Sequence, residues 1–522
     1  MTITDYSRFP RHKPCRTKIV ATLGPASDSE EKMKELIQAG VDLFRLNCAH
    51  KSLRENEEII RRIRKVSQEQ GQPIAILADL AGPKMRLGEL PNGSYFCQNG
   101  ATVRFVRGQT STQPETLTTS YEPLLDDLKI GDRVLLADGT VTFQVVGKKI
   151  DASSQNRMLD EVECRVLQAG VVRSRQGINL PGVQLSIPTL QPNDIENATE
   201  AVRLGIDFLG LSFVRSPQDI LDLRHILIQA AEKNVGSEFW NDLIPEDRSL
   251  YYPNIIAKIE KQEALPLLDD IIQTADGIMI ARGDLGVEVD IARIAVLQKQ
   301  MIESCRYWTK PVIVATQMLE SMIEETIPTR AEATDVANAI LDGADACMLS
   351  AETAIGKHPV EAVNMMNRIA RETEMILEKR SLIEKDCRIK TMNIMNNLTL
   401  PEAVRVSIAV CDAAGQLADT VSASMIFVAT QTGRTALNLS KMRNFVMTVG
   451  TSSSLTVLRR LCLYWGVIPV GNVQSDPSQM LTTLVERAQE RDYLSPNDLV
   501  ILVSGIGTIS NNQNVIYAHK VS

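Results

Sequence analysis

Residues 254–289 read NIIAKIEKQEALPLLDDIIQTADGIMIARGDLGVEV, and the order of elements in this stretch decides the architecture. IIAKIE is a short β-branched run of the kind that forms a buried strand. Side chains alternate along a strand, so Lys258 and Glu260 project to one face. The interval EALPLLDDIIQTA has helical spacing, and GIMIA is a second apolar strand that ends in Arg282-Gly283-Asp284-Leu285-Gly286. Strand, helix and strand at this spacing make a βαβ unit, whose strands must run parallel. Glu260 and Asp284 then stand at the same end of neighbouring strands, two carboxylates able to share one hard cation, with Lys258 beside them. Read alone, the pattern fits a structural ion pair and a turn more readily than a catalytic site, because structural pairs use the same residues.

The alternation extends in both directions. TKIVATLG (17–24) precedes the helix-like SDSEEKMKELIQAG, in which Ser27 or Asp28 is placed to cap the start and Gly40 the end. DLFRLN (42–47), a charged helix at 53–70 and PIAILADL (73–80) follow. After an interruption come DFLGLSFV (207–214), the two strands above, PVIVAT (311–316), ACMLSAE (346–352) and a last helix at 359–380. Eight parallel strands with helices outside specify an α/β protein built on a (β/α)8 TIM barrel. Catalytic residues of such barrels gather where strands end. Arg45 and Asn47 close the second strand, Asp79 the third, Ser212 the fourth, Lys258 and Glu260 the fifth. Asp284 follows the sixth, Thr316 and Gln317 the seventh, Ser350 and Glu352 the eighth. A barrel built only for stability does not need polar groups at nearly every strand end.

The interruption holds short alternating segments split by turn residues, including Asp138-Gly139, the pattern of a small β domain. Inserted at the barrel mouth, it is placed to act as a lid that excludes water. Beyond about 385 a smaller α/β pattern restarts. There SMIFVATQTGRTALNLSKM is a strand, a Thr/Gly turn and a helix, an arrangement that offers N–H groups to phosphate. Thr430, Thr432, Gly433, Arg434 and Thr435 are the candidate contacts, and the Gly/Ser/Asn loop in DLVILVSGIGTISNNQNVIYAHKV is placed to face them. An ordinary strand–turn–helix is the competing reading. The expected division is a discontinuous barrel domain at 1–87 and 188–380, a lid domain (a small β-barrel) at 88–187, and a C-terminal domain at 381–522. GSEFWNDLIPEDRSLYYPN (236–254) reads either as a partner surface or as a packed flap.

Composition agrees with several folded domains: 522 residues, 44% hydrophobic and only 4% aromatic. A net charge of -8 argues against nucleic acid as partner. No apolar run is long enough to span a bilayer, and the polar N-terminal arm is no signal peptide. The nine cysteines are widely spaced without CxxC, which indicates neither a disulfide framework nor a zinc site. A cytoplasmic protein is expected.

Motifs in register along nearly the whole chain resemble the pyruvate kinase family: TKIVATLGPAS, GPKMRLGEL, INLPGVQLSIPTLQPND, IIAKIEKQEAL, MIARGDLGVEV, VATQMLESMI, PTRAEATDVANAILDGADACMLSAETAIGKHPVEAV, TGRTA and LCLYWGV. The resemblance implies transfer of the phosphoryl group of phosphoenolpyruvate to ADP, then protonation of the enolate to pyruvate. It implies Mg²⁺, with Mn²⁺ as the alternative ion, on Glu260 and Asp284. Lys258 and Arg45 would stabilise the transferring group with support from Arg86, and backbone N–H groups from Ala281 through Arg282 and Gly283 to Asp284 would receive the substrate carboxylate. Thr316, a water and Ser350 would relay the proton; Asn47, His50 and Arg86 match nucleotide positions. A homotetramer and a phosphorylated allosteric effector at the 430–435 loop belong to the same expectation.

The departures are informative. Potassium-dependent members of the family coordinate the ion with Asn, Ser, Asp and Thr side chains, and the matching positions here hold Asn47, Ala49, Asp79 and Leu80. Lys84 stands where those members carry Glu, and Leu87 replaces a Thr. An ammonium on a flexible stem can place the missing positive charge internally. Lys84 is therefore expected to make K⁺ dispensable, against the simpler reading of a surface lysine beside a degraded ion site. Two rival functions fit parts of the pattern: another metal-dependent barrel acting on an enolate, separable by ADP dependence, and an inactive metabolite sensor. The sensor is disfavoured by the presence of Lys258, Glu260, Asp284 and Thr316 together.

Overall fold

The computed structural model describes residues 6–10, 14–108, 110–111, 113–137, 139–150, 160–383, 402–471, 473, 476–504 and 514–522. Eight parallel strands close into a barrel: Lys18–Thr22, Leu43–Asn47, Ala75–Asp79, Phe208–Leu211, Asn254–Ile259, Gly277–Ala281, Val312–Ala315 and Ala346–Leu349. Alternate side chains serve two cores. Ile19, Ile76, Ile255 and Ile278 face the outer helices, while Val20, Leu77, Phe208, Met279 and Met348 fill the interior. One expected helix start is corrected: the helix Glu30–Ala39 is capped by Ser29, whose hydroxyl accepts from the Lys32 N–H at 3.2 Å. Ser27 is buried and bonded to Gly24 instead. Gly40 ends this helix at φ 117, as its position suggests.

The barrel floor carries a fourfold repeat. Asp42, Asp207, Asp276 and Asp345 each precede an even-numbered strand. Their carboxylates accept the N–H of Ile19 at 2.9 Å and of Ile76, Ile255 and Val312 at 2.8 Å, on the preceding odd strands. Each also meets a cation: Lys18, Arg64, Arg224, and the pair Lys441 and Arg443. The last pair belongs to the C-terminal unit, and Lys18 reaches the Val467 carbonyl there at 2.8 Å. The repeat both closes the strand ends and fastens the next unit to them.

Between the third and fourth barrel strands lies the inserted β unit. Six strands run in the order Ile178–Asn179, Arg133–Leu136, Val141–Lys149, Glu161–Gln168, Thr102–Val106, Thr116–Leu117, and a ribbon pairs Ser94–Cys97 with Gly170–Arg173. Both sheets curl around one core that includes Phe105, Phe143 and Val172. Gly139 turns the chain at φ 88; Asp138 is outside the described residues. The C-terminal sheet runs Val467–Pro469, Met447–Thr451, Met425–Ala429, Leu499–Ser504, Val515–Lys520, with only the last strand antiparallel. Phe9 of the N-terminal arm is buried in this unit's core against Tyr493, ring centroids 5.3 Å apart.

The 236–254 segment is a packed bridge. It forms short helices Ser237–Asp242 and Pro245–Arg248. Trp240 is buried beneath the Arg248 guanidinium, 5.4 Å from its ring centroid. Arg460 of the C-terminal unit donates to the Ser249 and Tyr252 carbonyls at 2.8 and 2.7 Å. The eight described cysteines are free and buried; Cys387 is outside the described residues. Among the described residues no helix is long and apolar enough to cross a membrane.

Candidate active site

The third, fourth and fifth strands are neighbours in the barrel, so their polar ends converge. Lys258 is the centre. Its Nζ lies 3.0 Å from Asp79 Oδ1 and 2.8 Å from Glu260 Oε1, and donates to Ser212 Oγ at 2.8 Å. Asp79 Oδ1 makes no well-angled hydrogen bond, so its contact with Lys258 is ionic. Asp79 Oδ2 accepts from Arg45 Nε at 2.9 Å and Nη2 at 2.6 Å. Ser212 passes its own proton to the Leu80 carbonyl at 2.6 Å, and Glu260 Oε2 accepts the Phe213 N–H at 2.8 Å. The Lys258–Glu260 ion pair exists, and it is one edge of a buried network rather than an isolated bridge.

Burial would depress the Lys258 ammonium, but Asp79 and Glu260 more than offset it and hold its pKa well above the ordinary lysine value. Burial raises the Glu260 carboxyl; Lys258 opposes this, and the nearby charge of Asp284 adds to it. Asp284 is exposed and lies in the first turn of the helix Arg282–Glu288. The Asp284 charge raises the proton affinity of the buried Glu260 carboxyl, a repulsion that a divalent cation shared by the two would relieve, so the residues present fit Mg²⁺.

The remaining candidates separate. Thr316 joins the site: its hydroxyl accepts the Gly283 N–H at 2.8 Å and donates to the Ala315 carbonyl at 2.6 Å. That leaves one fewer backbone N–H at 281–284 for a carboxylate than the sequence suggests. The Arg282 side chain turns away from the mouth to Asp335, Gln298 and the carbonyls of Thr316 and Gln317. Ser350 closes the eighth strand, with its N–H on Glu352 Oε2 at 2.7 Å. Asn47 accepts the Ala49 N–H at 3.1 Å, and His50 is exposed on the same loop. Arg86 is engaged with the inserted unit, donating to the Arg175 carbonyl at 3.1 Å. Lys84, Arg86, Asp284, Lys261 and Arg215 line a cleft of about 230 Å³ between that unit and the barrel.

Lys84 is solvent-exposed, and among the described residues no carboxylate lies within ion-pair distance of it. Partial desolvation lowers its pKa, as do Lys258 and Arg86, against the attraction of Asp284 and Asp79. Leu80, at a matching cation-ligand position, is buried.

In the C-terminal loop Gly433 has φ 89 and donates its N–H to Thr430 Oγ1 at 3.0 Å. Thr430 and Thr435 are buried. Thr432 and Arg434 open onto a seam cleft of about 370 Å³ shared with Trp308, Lys310 and Tyr464. The facing Gly/Ser/Asn loop at 505–513 lies outside the described residues.

Asp79 and Ser212 hold Lys258, yet the sequence marks them as polar strand ends, and Asp79 as a cation-ligand match, without linking either to Lys258. Their roles depend on which strands are neighbours. Asp335 and Gln298 carry no sequence signal, since both sit on helices whose polar residues look like ordinary surface.

A buried ammonium set among carboxylates at a barrel mouth is machinery for stabilising anionic charge in a reacting group, which places the protein among barrel enzymes of that kind. Two family models cover it: "Pyruvate kinase, barrel domain" over residues 14–238 and 241–363, and "Pyruvate kinase, alpha/beta domain" over 408–519. Pyruvate kinase 2 of Synechocystis sp. is 39% identical over 497 residues, 94% of this chain and 77% of that one. The pyruvate kinase of Sporosarcina psychrophila is 36% identical over 492 residues, covering 94% and 78%. A crystal structure of a pyruvate kinase from Cryptosporidium parvum superposes with a TM-score of 0.84 at 30% identity, covering 98% of this chain and 97% of that one. The chain belongs to the pyruvate kinase family of enzymes.

Proposed function

We propose that the protein transfers the phosphoryl group of phosphoenolpyruvate to ADP, giving ATP and pyruvate, without requiring a monovalent cation. The observation that supports this best is the Lys258 ammonium, kept charged by Asp79 and Glu260 at the strand ends and adjoined by Arg45 on the same Asp79 carboxylate. Phosphoryl transfer demands positioning and charge neutralisation more than covalent help, and two fixed cations at the barrel mouth supply both. Mg²⁺ held by Glu260 and Asp284 would add Lewis-acid neutralisation of the phosphoryl and enolate oxygens. Arg45 grips the phosphate, and Lys258 faces the bridging oxygen that becomes the enolate. The backbone at 281–284 takes the carboxylate, and Thr316 with Ser350 and a water delivers the proton. Asn47, His50 and Arg86 border the nucleotide, and the inserted unit (88–187) closes over it to exclude water.

Lys84 supplies the charge that K⁺ supplies elsewhere. Its unpaired ammonium at the cleft, and the loss of oxygen ligands at Ala49 and Leu80, support this reading. Assembly as a homotetramer and a phosphorylated effector at Thr432 and Arg434 complete it. The test is pyruvate formation from phosphoenolpyruvate, ADP and Mg²⁺ in buffer free of K⁺ and NH₄⁺, then with K⁺ added. Full activity without K⁺ is expected. Activity only after K⁺ would leave the kinase and remove the role of Lys84; no activity in either buffer would overturn the assignment.

A further inference from the structure

Thr316 and Gln317, directly after the seventh strand, both lie in the left-handed region, at φ 70 and φ 54. Neither is glycine, and the conformation is strained for any residue with a side chain, so it persists only where the surroundings impose it. Arg282 imposes it. Its Nη2 donates to the Thr316 carbonyl at 2.8 Å and the Gln317 carbonyl at 3.3 Å, and lies 2.9 Å from Met318 Sδ. Its Nη1 donates to Asp335 Oδ1 at 2.8 Å and Gln298 Oε1 at 3.4 Å, while Asp335 Oδ2 sits 2.7 Å from Nη2. The guanidinium is buried, so its charge needs the Asp335 carboxylate on the helix Arg330–Asp342. The adjacent residue completes the hold, since the Gly283 N–H donates to the Thr316 hydroxyl. Consecutive residues of the sixth-strand loop therefore define both the backbone and the hydroxyl of Thr316. A planar fork with five donors meets two carbonyls, both oxygens of a carboxylate and an amide oxygen at once, more acceptors than the three donors of an ammonium can reach.

From this geometry we infer that Arg282 is a positioning residue for Thr316, held in place by Asp335 and Gln298, and that it governs the proton step rather than substrate binding. The inference rests on the proposed proton-relay role of Thr316. Arg282→Gln keeps hydrogen-bonding capacity but removes the fork and the charge.

The test compares R282Q, R282K, D335N, T316A and the double variant R282Q/T316A. Steady-state kinetics are combined with exchange of the pyruvate methyl protons into D₂O followed by NMR, which reads the proton step apart from phosphoryl transfer. R282Q is expected to lose roughly 10- to 100-fold in kcat, the scale of a small misplacement of a catalytic group, with KM for phosphoenolpyruvate within about threefold. Methyl exchange should fall by the same factor, R282K should recover part of it, and R282Q/T316A should be no worse than T316A, because the two act as a unit. A loss carried by KM at unchanged kcat, wild-type exchange in R282Q where T316A has lost it, or multiplying effects would each overturn the inference. Should R282Q fail to fold, D335N decides. Asp335 is itself part-exposed, so a fall in kcat and exchange at constant KM supports the role, and wild-type values overturn it. Wild-type exchange in T316A would remove the proton-relay reading itself, and this inference with it.

Discussion

Replacing Asp79 by Asn changes almost no volume and removes one charge on which two cations depend. Asp79 is 2% exposed, and its two oxygens serve Arg45 at 2.6 and 2.9 Å and Lys258 at 3.0 Å. A unit pair at that range is worth roughly 5 kcal/mol at an effective dielectric near 20, before desolvation. The net penalty for removing one member of a buried pair is about 3–5 kcal/mol. An Asn can still accept from Arg45, but its amide then points donors at Lys258. Arg45 is left with a neutral amide oxygen and Thr22 Oγ1 at 3.2 Å, and Lys258 keeps Glu260 and Ser212. D79N should therefore lose about 3–5 kcal/mol in denaturant unfolding and at least about 100-fold in kcat, since both cations lose their orientation.

The pH dependence gives a second, independent reading. Burial pushes the Asp79 carboxyl up, but Lys258 and Arg45 outweigh burial and hold it below its ordinary value. A depressed carboxylate contributes stability that is complete above the unfolded-state pKa, about 3.9, and is lost as pH falls further. The gap between wild type and D79N should be constant from about pH 5 upward and shrink below about pH 4. A D79N protein within about 1 kcal/mol of wild type, with wild-type kcat, would refute the account of Lys258 as a group held by this carboxylate.

On the alkaline side Lys258 is raised, so the stability of its pairing is complete below the ordinary lysine pKa of about 10.4 and lost only above it; circular dichroism should show no Lys258-linked loss up to pH 10. Lys84 is depressed, so it discharges below that value, and activity in K⁺-free buffer should decline on the alkaline limb earlier than Lys258 titrates. Lys84→Glu should lower K⁺-free activity by at least about tenfold, because a like-charged neighbour replaces a cation beside Asp284. Asp345→Asn leaves Lys441 and Arg443 facing each other without their shared carboxylate. It should cost about 3–5 kcal/mol, read as a lower melting temperature and faster proteolysis at the seam between barrel and C-terminal unit. Glu260→Gln should weaken Mn²⁺ binding by about tenfold or more, measured by paramagnetic resonance, since a charged ligand is lost.

Much of this was legible because strands in a barrel are short apolar runs with polar endings. IIAKIE and GIMIA announce themselves, and the spacing of Lys258 and Glu260 puts both on one face. What stayed hidden was direction and partnership. The string RGDLG shows a guanidinium after the sixth strand, but not that it reaches across 53 residues of sequence to Asp335. Asp79 and Ser212 were visible as strand ends, yet their contact with Lys258 depends on barrel closure. The Thr/Gly turn at 430–435 suggested five contacts to one phosphate. In the fold Thr430 and Thr435 are buried and the Gly433 N–H is satisfied internally, because the Thr430 hydroxyl closes the turn.

Satisfaction of polar groups is what separates the two ends of this barrel. On the floor each of the four aspartates has both a backbone N–H and a cation, so the charge of each is matched, and their common effect is to hold strand ends and the C-terminal unit. At the mouth the buried groups are matched in the same way, Lys258 against Asp79 and Glu260, Arg45 against Asp79. The difference lies in what borders them. Asp284 and Lys84, both exposed, have no ion-pair partner among the described residues. A charged residue left unpaired beside a saturated buried network forgoes stabilising pairing in the free protein, which is the arrangement required if binding of anions and a divalent ion is to complete the set. The same criterion places Arg434 with the mouth rather than the floor: it is exposed on the seam cleft, and no described residue pairs with it.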